Sequence, residues 1–253
     1  MTELLESRGM TFIVHGESKA GKSTLANTSP APRLLLDVEM AYRFLSGRKI
    51  AWDPHTEAPP VYDGTWDTAV VIVRSYADVR RAVEWLQQGD HQFKSVVLDS
   101  ISELQTLVKE QLDASGKMTM QLWGSMLFEM DKKCRELRDL PEHPTNPVEA
   151  VVITAQTSLR DGKYRPYMQG QMKTKLPYYF DVIGFLAAQK VPQGPDYVGP
   201  DVYERKLCIG PHDLVESGSR VVEQLGNVVD DPNITTMLDK VFPPVSATKE
   251  TKQ

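Results

Sequence analysis

Cysteine is nearly absent from this sequence: Cys134 and Cys208 are the only two in 253 residues. Two thiols without metal-type spacing support neither a disulfide framework nor a zinc knuckle, so a reducing, cytoplasmic setting is expected. No apolar run approaches the roughly 20 residues that a membrane helix needs. The opening MTELLESRGM has no basic segment followed by an apolar one, so secretion is not expected. An excess of positive charge is missing too. The net charge of −5 excludes a surface coated in cations but leaves room for a local basic patch. The five histidines (His15, His55, His91, His143 and His212) form no ligand pattern and carry no assigned chemistry. Internal repeats and long low-complexity segments are also lacking.

What remains is an ordinary globular composition, 41% apolar and 25% charged, in a chain long enough for one large α/β domain. Short apolar runs alternate with amphipathic stretches, as in a mainly parallel sheet flanked by helices. MTFIVH (10–15), RLLLDV (33–38), VVIV (70–73), SVVLD (95–99) and AVVITA (150–155) read as strands. Ser75 and Asp78 have the spacing of a helix cap, Val79, Val83 and Leu86 form its apolar stripe, and Gly89 closes it. Two further helices are expected over about 102–114 and 119–140, the second ended by Pro141. Residues 46–68, with Pro54, Pro59, Pro60 and two tryptophans, read as an irregular excursion or small hairpin rather than a core element. Residues 180–187 and 202–209 read as late strands, with a β-hairpin as one arrangement, around a Gly- and Pro-rich 192–200. One domain is expected over 1–242, followed by a disordered tail from 243 to 253.

The chemistry begins directly after the first strand. Gly16-Glu17-Ser18-Lys19-Ala20-Gly21-Lys22-Ser23 has the spacing G-x-x-x-x-G-K-[ST], with Thr24 continuing into a helix. The two glycines let the backbone curl so that successive N–H groups face phosphate oxygens. Lys22 then reaches the β- and γ-phosphates, and the Ser23 hydroxyl supplies a Mg²⁺ ligand. The expected ligand is ATP with Mg²⁺. Asp99 ends an apolar strand and is the natural second metal partner, on a strand expected beside the phosphate loop. Ser100 is the better cap for the helix that comes next. Glu39, just past the second strand, has the chemistry to orient or deprotonate the attacking water, with Asp37 as its competitor.

Asp37-Val38-Glu39-Met40-Ala41 resembles the Asp-x-Glu-x-Ala element of bacterial RecA, and the order of elements over about residues 10–210 is similar to that family. The resemblance implies a RecA-like ATPase core in which Glu39 polarises water. It also implies that Gln156, after AVVITA, is a sensor coupling the γ-phosphate to a mobile DNA-binding loop. The compact form is most similar to the short RecA-core ATPases of bacteriophages, some of them recombinases or single-strand annealing proteins. Asp161-Gly162-Lys163 and Leu176-Pro177-x-x-Phe180-Asp181 fit that group. Such proteins place nucleotide between subunits, so Arg205 and Lys206 would act in trans, although both could equally be exposed strand charges. Only nine residues precede the first strand. The resemblance therefore favours a ring, a shorter filament, or annealing beside a single-strand-binding protein over a long self-sufficient filament.

Residues 158–176 carry five cations, Arg160, Lys163, Arg165, Lys173 and Lys175, against one carboxylate, Asp161. Tyr164 and Tyr167 are interleaved. Cations for phosphates and aromatic faces for bases make a recipe for single-stranded DNA. A solvated surface loop or a subunit contact would have the same composition. Two other functions remain open. A nucleotide-kinase-type phosphotransferase would need an acceptor pocket and converging arginines, and a non-catalytic ATP-binding scaffold would make Glu39 incidental.

Overall fold

The computed structural model describes residues 8–113, 117–194, 199 and 202–243. Its first half runs β1 (Met10–His15), α1 (Lys22–Ala26), β2 (Arg33–Asp37), β3 (Lys49–Ala51), β4 (Thr68–Ile72), α2 (Tyr76–Gln88), β5 (Ser95–Asp99), α3 (Ile101–Leu112) and α4 (Met120–Arg138). The second half runs β6 (Ala150–Ala155), β7 (Thr157–Arg160), β8 (Lys163–Pro166), α5 (Met172–Lys175), β9 (Val182–Lys190), β10 (Tyr203–Cys208), β11 (Gly218–Ser219), α6 (Val222–Leu225), β12 (Val228–Asp230) and α7 (Ile234–Val241).

Ten strands form one sheet in the order β12-β10-β9-β1-β6-β5-β2-β4-β3, with β11 also paired to β9. The seven strands from β9 to β3 are parallel, whereas β10 turns back antiparallel on β9 and β12 antiparallel on β10. A parallel sheet needs cover on both faces, which is why β1, β5 and β6 are buried at every position and read as unbroken apolar runs. Alternate residues feed two separate cores. Ile13, Leu36, Leu98 and Ile153 pack with α2, α3 and α4 on one face. Phe12, Val14, Val97 and Val152 pack with Leu25 of α1 and with Ile234 and Met237 of α7 on the other.

The helix signals hold. Asp78 accepts from the amides of Arg74 and Ser75, both at 2.8 Å, closing the capping box of α2, and Gly89 ends it in the left-handed region at φ 74°. The β9–β10 hairpin pairs Tyr203 with Lys190 through Cys208 with Phe185. No helix among the described residues is long and apolar enough to cross a membrane.

Two expectations need correction. Residues 46–68 are not outside the core: Lys49–Ala51 is the edge strand β3. Trp52 and Trp66, each 3% exposed, pack against Phe93. The segment after Gln156 is not a free loop either. β7 and β8 form a hairpin, and Met168, Met172, Leu176 and Phe180 anchor the chain beyond β8 in the core. Asp99 ends β5 beside the phosphate loop, as expected, with β6 inserted between β1 and β5. The tail beyond 243 and most of the 192–200 connection lie outside the described residues.

Candidate nucleotide-binding site

The C-terminal ends of the parallel strands open onto a cleft of about 1040 Å³, lined by residues 16–19 and 21–24, Glu39, Asp99, Gln156, Thr157, Tyr164 and Arg205. Both loop glycines are sterically required. A Cβ on Gly16 would sit 2.4 Å from the Leu186 carbonyl oxygen of β9. One on Gly21 would sit 2.5 Å from Arg205 Nε, and the φ of 102° there already disfavours any side chain. Lys19 is left-handed as well, at φ 63°, so the backbone curls between the two glycines. Lys22 Nζ donates to the carbonyls of Gly16 (3.1 Å) and Glu17 (2.9 Å), holding the ammonium inside its own loop. Burial lowers its pKa below the usual lysine value, while the carboxylates of Glu39 and Asp99 oppose that shift.

Asp99, 2% exposed, faces this ammonium. One carboxylate oxygen accepts a hydrogen bond from the Thr154 hydroxyl on β6. The other, Oδ2, is buried without a hydrogen-bond partner among the described residues. Burial raises its pKa above the ordinary carboxylate value, and the nearby Ser23 and Thr154 hydroxyls act in the opposite direction. An orphaned carboxylate oxygen beside a loop hydroxyl suits a hard divalent cation, so the residues present fit Mg²⁺ held by Ser23 and Asp99.

The two acidic residues at the end of β2 have different environments. Asp37 is fully buried, and its oxygens accept from the amides of Ala41 (3.0 Å) and Tyr42 (2.9 Å). Glu39 is exposed on the cleft wall, where its carboxylate accepts from the Ser100 hydroxyl and its amide donates to the Asp99 carbonyl at 3.2 Å. Ser100 also caps α3, accepting from the Glu103 amide at 3.4 Å.

Gln156 comes directly after β6 and presents its side chain to the cleft. Its amide donates to Ser102 Oγ at 3.0 Å, and its carbonyl accepts from the Tyr167 amide at 2.7 Å, at the open base of the hairpin. Ser102 Oγ donates in turn to the Tyr167 carbonyl at 2.8 Å.

In the hairpin, Ser158 pairs with Arg165 and Arg160 with Lys163, so the alternation of a strand places Arg160, Lys163 and Arg165 on one face. Tyr164 is on the opposite face, in the cleft, with its ring 5.9 Å from that of Phe185. The seven basic and aromatic residues of this segment are thus divided. Arg165 pairs with Glu216 at 3.5 Å and Lys175 with Asp131 at 3.3 Å. Lys173 and Tyr167 are exposed away from these pairs.

Arg205 and Lys206 are also separated. Lys206 bonds Asp230 of β12 at 3.4 Å, whereas Arg205 donates from Nε to the Ala20 carbonyl of its own chain at 3.3 Å. The resemblance to RecA placed both in trans. In the fold, β10 lays Arg205 over the phosphate loop of the same chain. Several cleft residues carry no signal of their own in the sequence. Thr157, next to Gln156, and Phe44, 86% exposed, both line the cleft, and Thr154 is buried behind it against Asp99. His15 is buried behind the loop, with Nε2 2.7 Å from the Glu216 carbonyl and Nδ1 3.1 Å from Thr157 Oγ1. Only its position just before Gly16 could have pointed to it.

A parallel sheet with a G-x-x-x-x-G-K-S loop after its central strand, and an acidic residue two strands away, defines a P-loop nucleotide-binding ATPase domain. The AAA domain family pattern matches residues 8–221, and the chain belongs to that family. No curated protein matches it in sequence.

Proposed function

We propose that this chain is a Mg²⁺-dependent ATPase of RecA type, similar to the phage recombinase and single-strand annealing group, that binds single-stranded DNA in recombination or annealing. The observation that carries the reading is the position of Gln156. Its side chain is on the nucleotide cleft while its carbonyl holds Tyr167, at the end of the hairpin that aligns Arg160, Lys163 and Arg165 on one face. A change at the γ-phosphate would therefore reach a DNA-binding surface through one residue.

Within the cleft, the backbone of residues 16–21 would cradle the phosphates and Lys22 would bind the β- and γ-oxygens. Ser23 and Asp99 would hold Mg²⁺, which when bound would neutralise part of the triphosphate charge. Glu39 would orient the water and take its proton as the oxygen bonds to the γ-phosphorus and the bridging bond to ADP breaks. Tyr167, Lys173 and Lys175 would extend the DNA-binding surface around the hairpin, whereas Tyr164, the other aromatic of the segment, lines the nucleotide cleft. Assembly with further copies of the chain, and cooperation with a single-strand-binding protein, belong to the same reading, as does a cytoplasmic location, in a bacterial host if the chain is phage-encoded.

The test is ATP turnover with and without single-stranded DNA. Stimulation supports this reading. A requirement for a small phosphoryl acceptor replaces it with the nucleotide-kinase alternative, and binding without turnover favours a scaffold.

A further inference from the structure

Adjacent residues of β10 face opposite sides of the sheet, and this sets their partners. Lys206 is on one side of the sheet, where its cross-strand partner on β12, Asp230, neutralises it. Arg205 shares a face with Leu207, which belongs to the core beneath Ala20 and Leu25. One pair of residues further along that face, the strand has passed the end of β1 and overlies the phosphate loop. The backbone of Arg205 is fixed from both sides, by register with Ala188 of β9 and by the Asp231 amide, which donates to its carbonyl at 2.9 Å.

The guanidinium that results lies on the loop without an acidic partner among the described residues. Its bond to Ala20 uses Nε alone. The space that a Gly21 side chain would fill is taken by Arg205 Nε, Cδ and Cζ, at 2.5, 3.2 and 3.2 Å from the position of a Cβ. Gly21 therefore lets the guanidinium touch the loop backbone immediately before Lys22. A cation tethered by one nitrogen, with the rest of its fork in a cleft whose loop amides face anions, has the geometry of a phosphate clamp.

We infer that Arg205 acts in cis, contacting the terminal phosphate of nucleotide held by its own chain's phosphate loop. The inference rests on the ATPase reading and extends it by one catalytic residue and by the chain that supplies it. A guanidinium tied to Ala20 of its own chain is not extended toward a neighbour. It is positioned instead to discriminate a triphosphate from a diphosphate, because only the former offers oxygens beyond those that the loop amides and Lys22 hold.

The experiment measures affinity for a non-hydrolysable ATP analogue and for ADP in the wild type, Arg205→Ala and Arg205→Gln. The Gln variant keeps a donor for Ala20 and removes the charge, so it separates phosphate contact from a role in holding the loop. Both variants are expected to lose roughly tenfold to a hundredfold in affinity for the analogue. ADP affinity should change by about threefold or less, and the thermal midpoint of the Gln variant should match the wild type. Co-expression of Arg205→Ala chains with Lys22→Ala chains should not restore turnover, since no chain then holds both groups. Restored turnover would show that Arg205 is delivered by a neighbour and would overturn the inference. Wild-type discrimination between analogue and ADP in Arg205→Gln would overturn it equally. A wild type that binds neither nucleotide removes the ATPase reading itself, and this inference with it.

Discussion

Asp37 and Glu39 carry the same charge and leave the same strand two residues apart, yet only their surroundings decide what each can do. Both oxygens of Asp37 are engaged by backbone amides inside the protein, whereas Glu39 faces the cleft. Glu39→Gln is expected to lower kcat by about a hundredfold or more while leaving nucleotide affinity intact, checked by turnover and by equilibrium titration. Asp37→Asn should act on the fold instead. One of its two acceptors becomes an amino group facing an amide, so stability should fall by about 1–3 kcal/mol, read from the denaturation midpoint. His15 gives a third residue-scale expectation. Burial lowers its pKa from 6.5 to about 4, against the raising effect of its bond to Glu216. Between those two values the unfolded chain binds a proton that the native chain refuses. Stability should therefore be complete above pH 6.5 and decline by on the order of 3 kcal/mol as pH falls toward 4. Denaturant melts at several pH values would show the slope. His15→Gln should flatten it in part, leaving the contribution of His91, which is lowered to about 4 as well.

Among the elements, the hairpin β7–β8 carries the clearest expectation. Arg160→Ala and Lys163→Ala together should weaken single-stranded DNA binding and reduce the slope of log affinity against log salt by about 0.7 for each phosphate no longer neutralised. Nucleotide affinity should not change. An unaltered salt slope would remove the hairpin from the DNA-binding surface. Arg165→Ala should behave differently, because it also leaves Glu216 without its ion-pair partner, and a lower thermal midpoint should accompany any weakening of binding. This hairpin also shows where the sequence could be read and where it could not. β1, β2, β5 and β6 were legible because two-sided burial forces continuous apolar runs, and α2 because its cap and apolar stripe are local. The hairpin had a signal that composition masked: Asp161-Gly162, both left-handed at φ 52° and 75°, is a two-residue turn flanked by alternating residues. β3 was hidden by its brevity and by the prolines after it, although Trp52 and Trp66 are too large and apolar to be left in solvent. β11, β12 and α6 are two to four residues long, too short for any period to register, and the two strands are set by pairing with β9 and β10. In the site, the phosphate loop was legible because its chemistry is contiguous. Arg205 was recognised as a cation, but the chain it serves depends on how β10 turns back along β9, beside the phosphate-loop strand.

Across the whole molecule, the insertion of β6 between β1 and β5 matters more than any single contact. It places Gln156 at the end of a strand flanked by the phosphate-loop strand on one side and the Asp99 strand on the other. The backbone beyond Gln156 leads straight into the hairpin, whose last residues are tied back to Gln156 and Ser102. If the cleft and the hairpin bind ATP and DNA as proposed, their coupling must be reciprocal. The factor by which a non-hydrolysable ATP analogue, relative to ADP, tightens single-stranded DNA binding must equal the factor by which DNA tightens the analogue relative to ADP. A coupling of about 1–3 kcal/mol would make that factor about 5 to 150. Gln156→Ala removes only the side chain, so its backbone bonds to Ser102 and Tyr167 persist and the hairpin should stay in place. Both coupling factors are then expected to fall together toward one, while the affinities for ADP alone and for DNA without nucleotide stay near the wild-type values. Titrations of nucleotide with and without DNA, and of DNA with each nucleotide, measure all the quantities needed. Undiminished coupling in Gln156→Ala would mean that the γ-phosphate signal reaches the hairpin by another route, with Tyr164 the next residue to test because it lines the cleft from β8 itself.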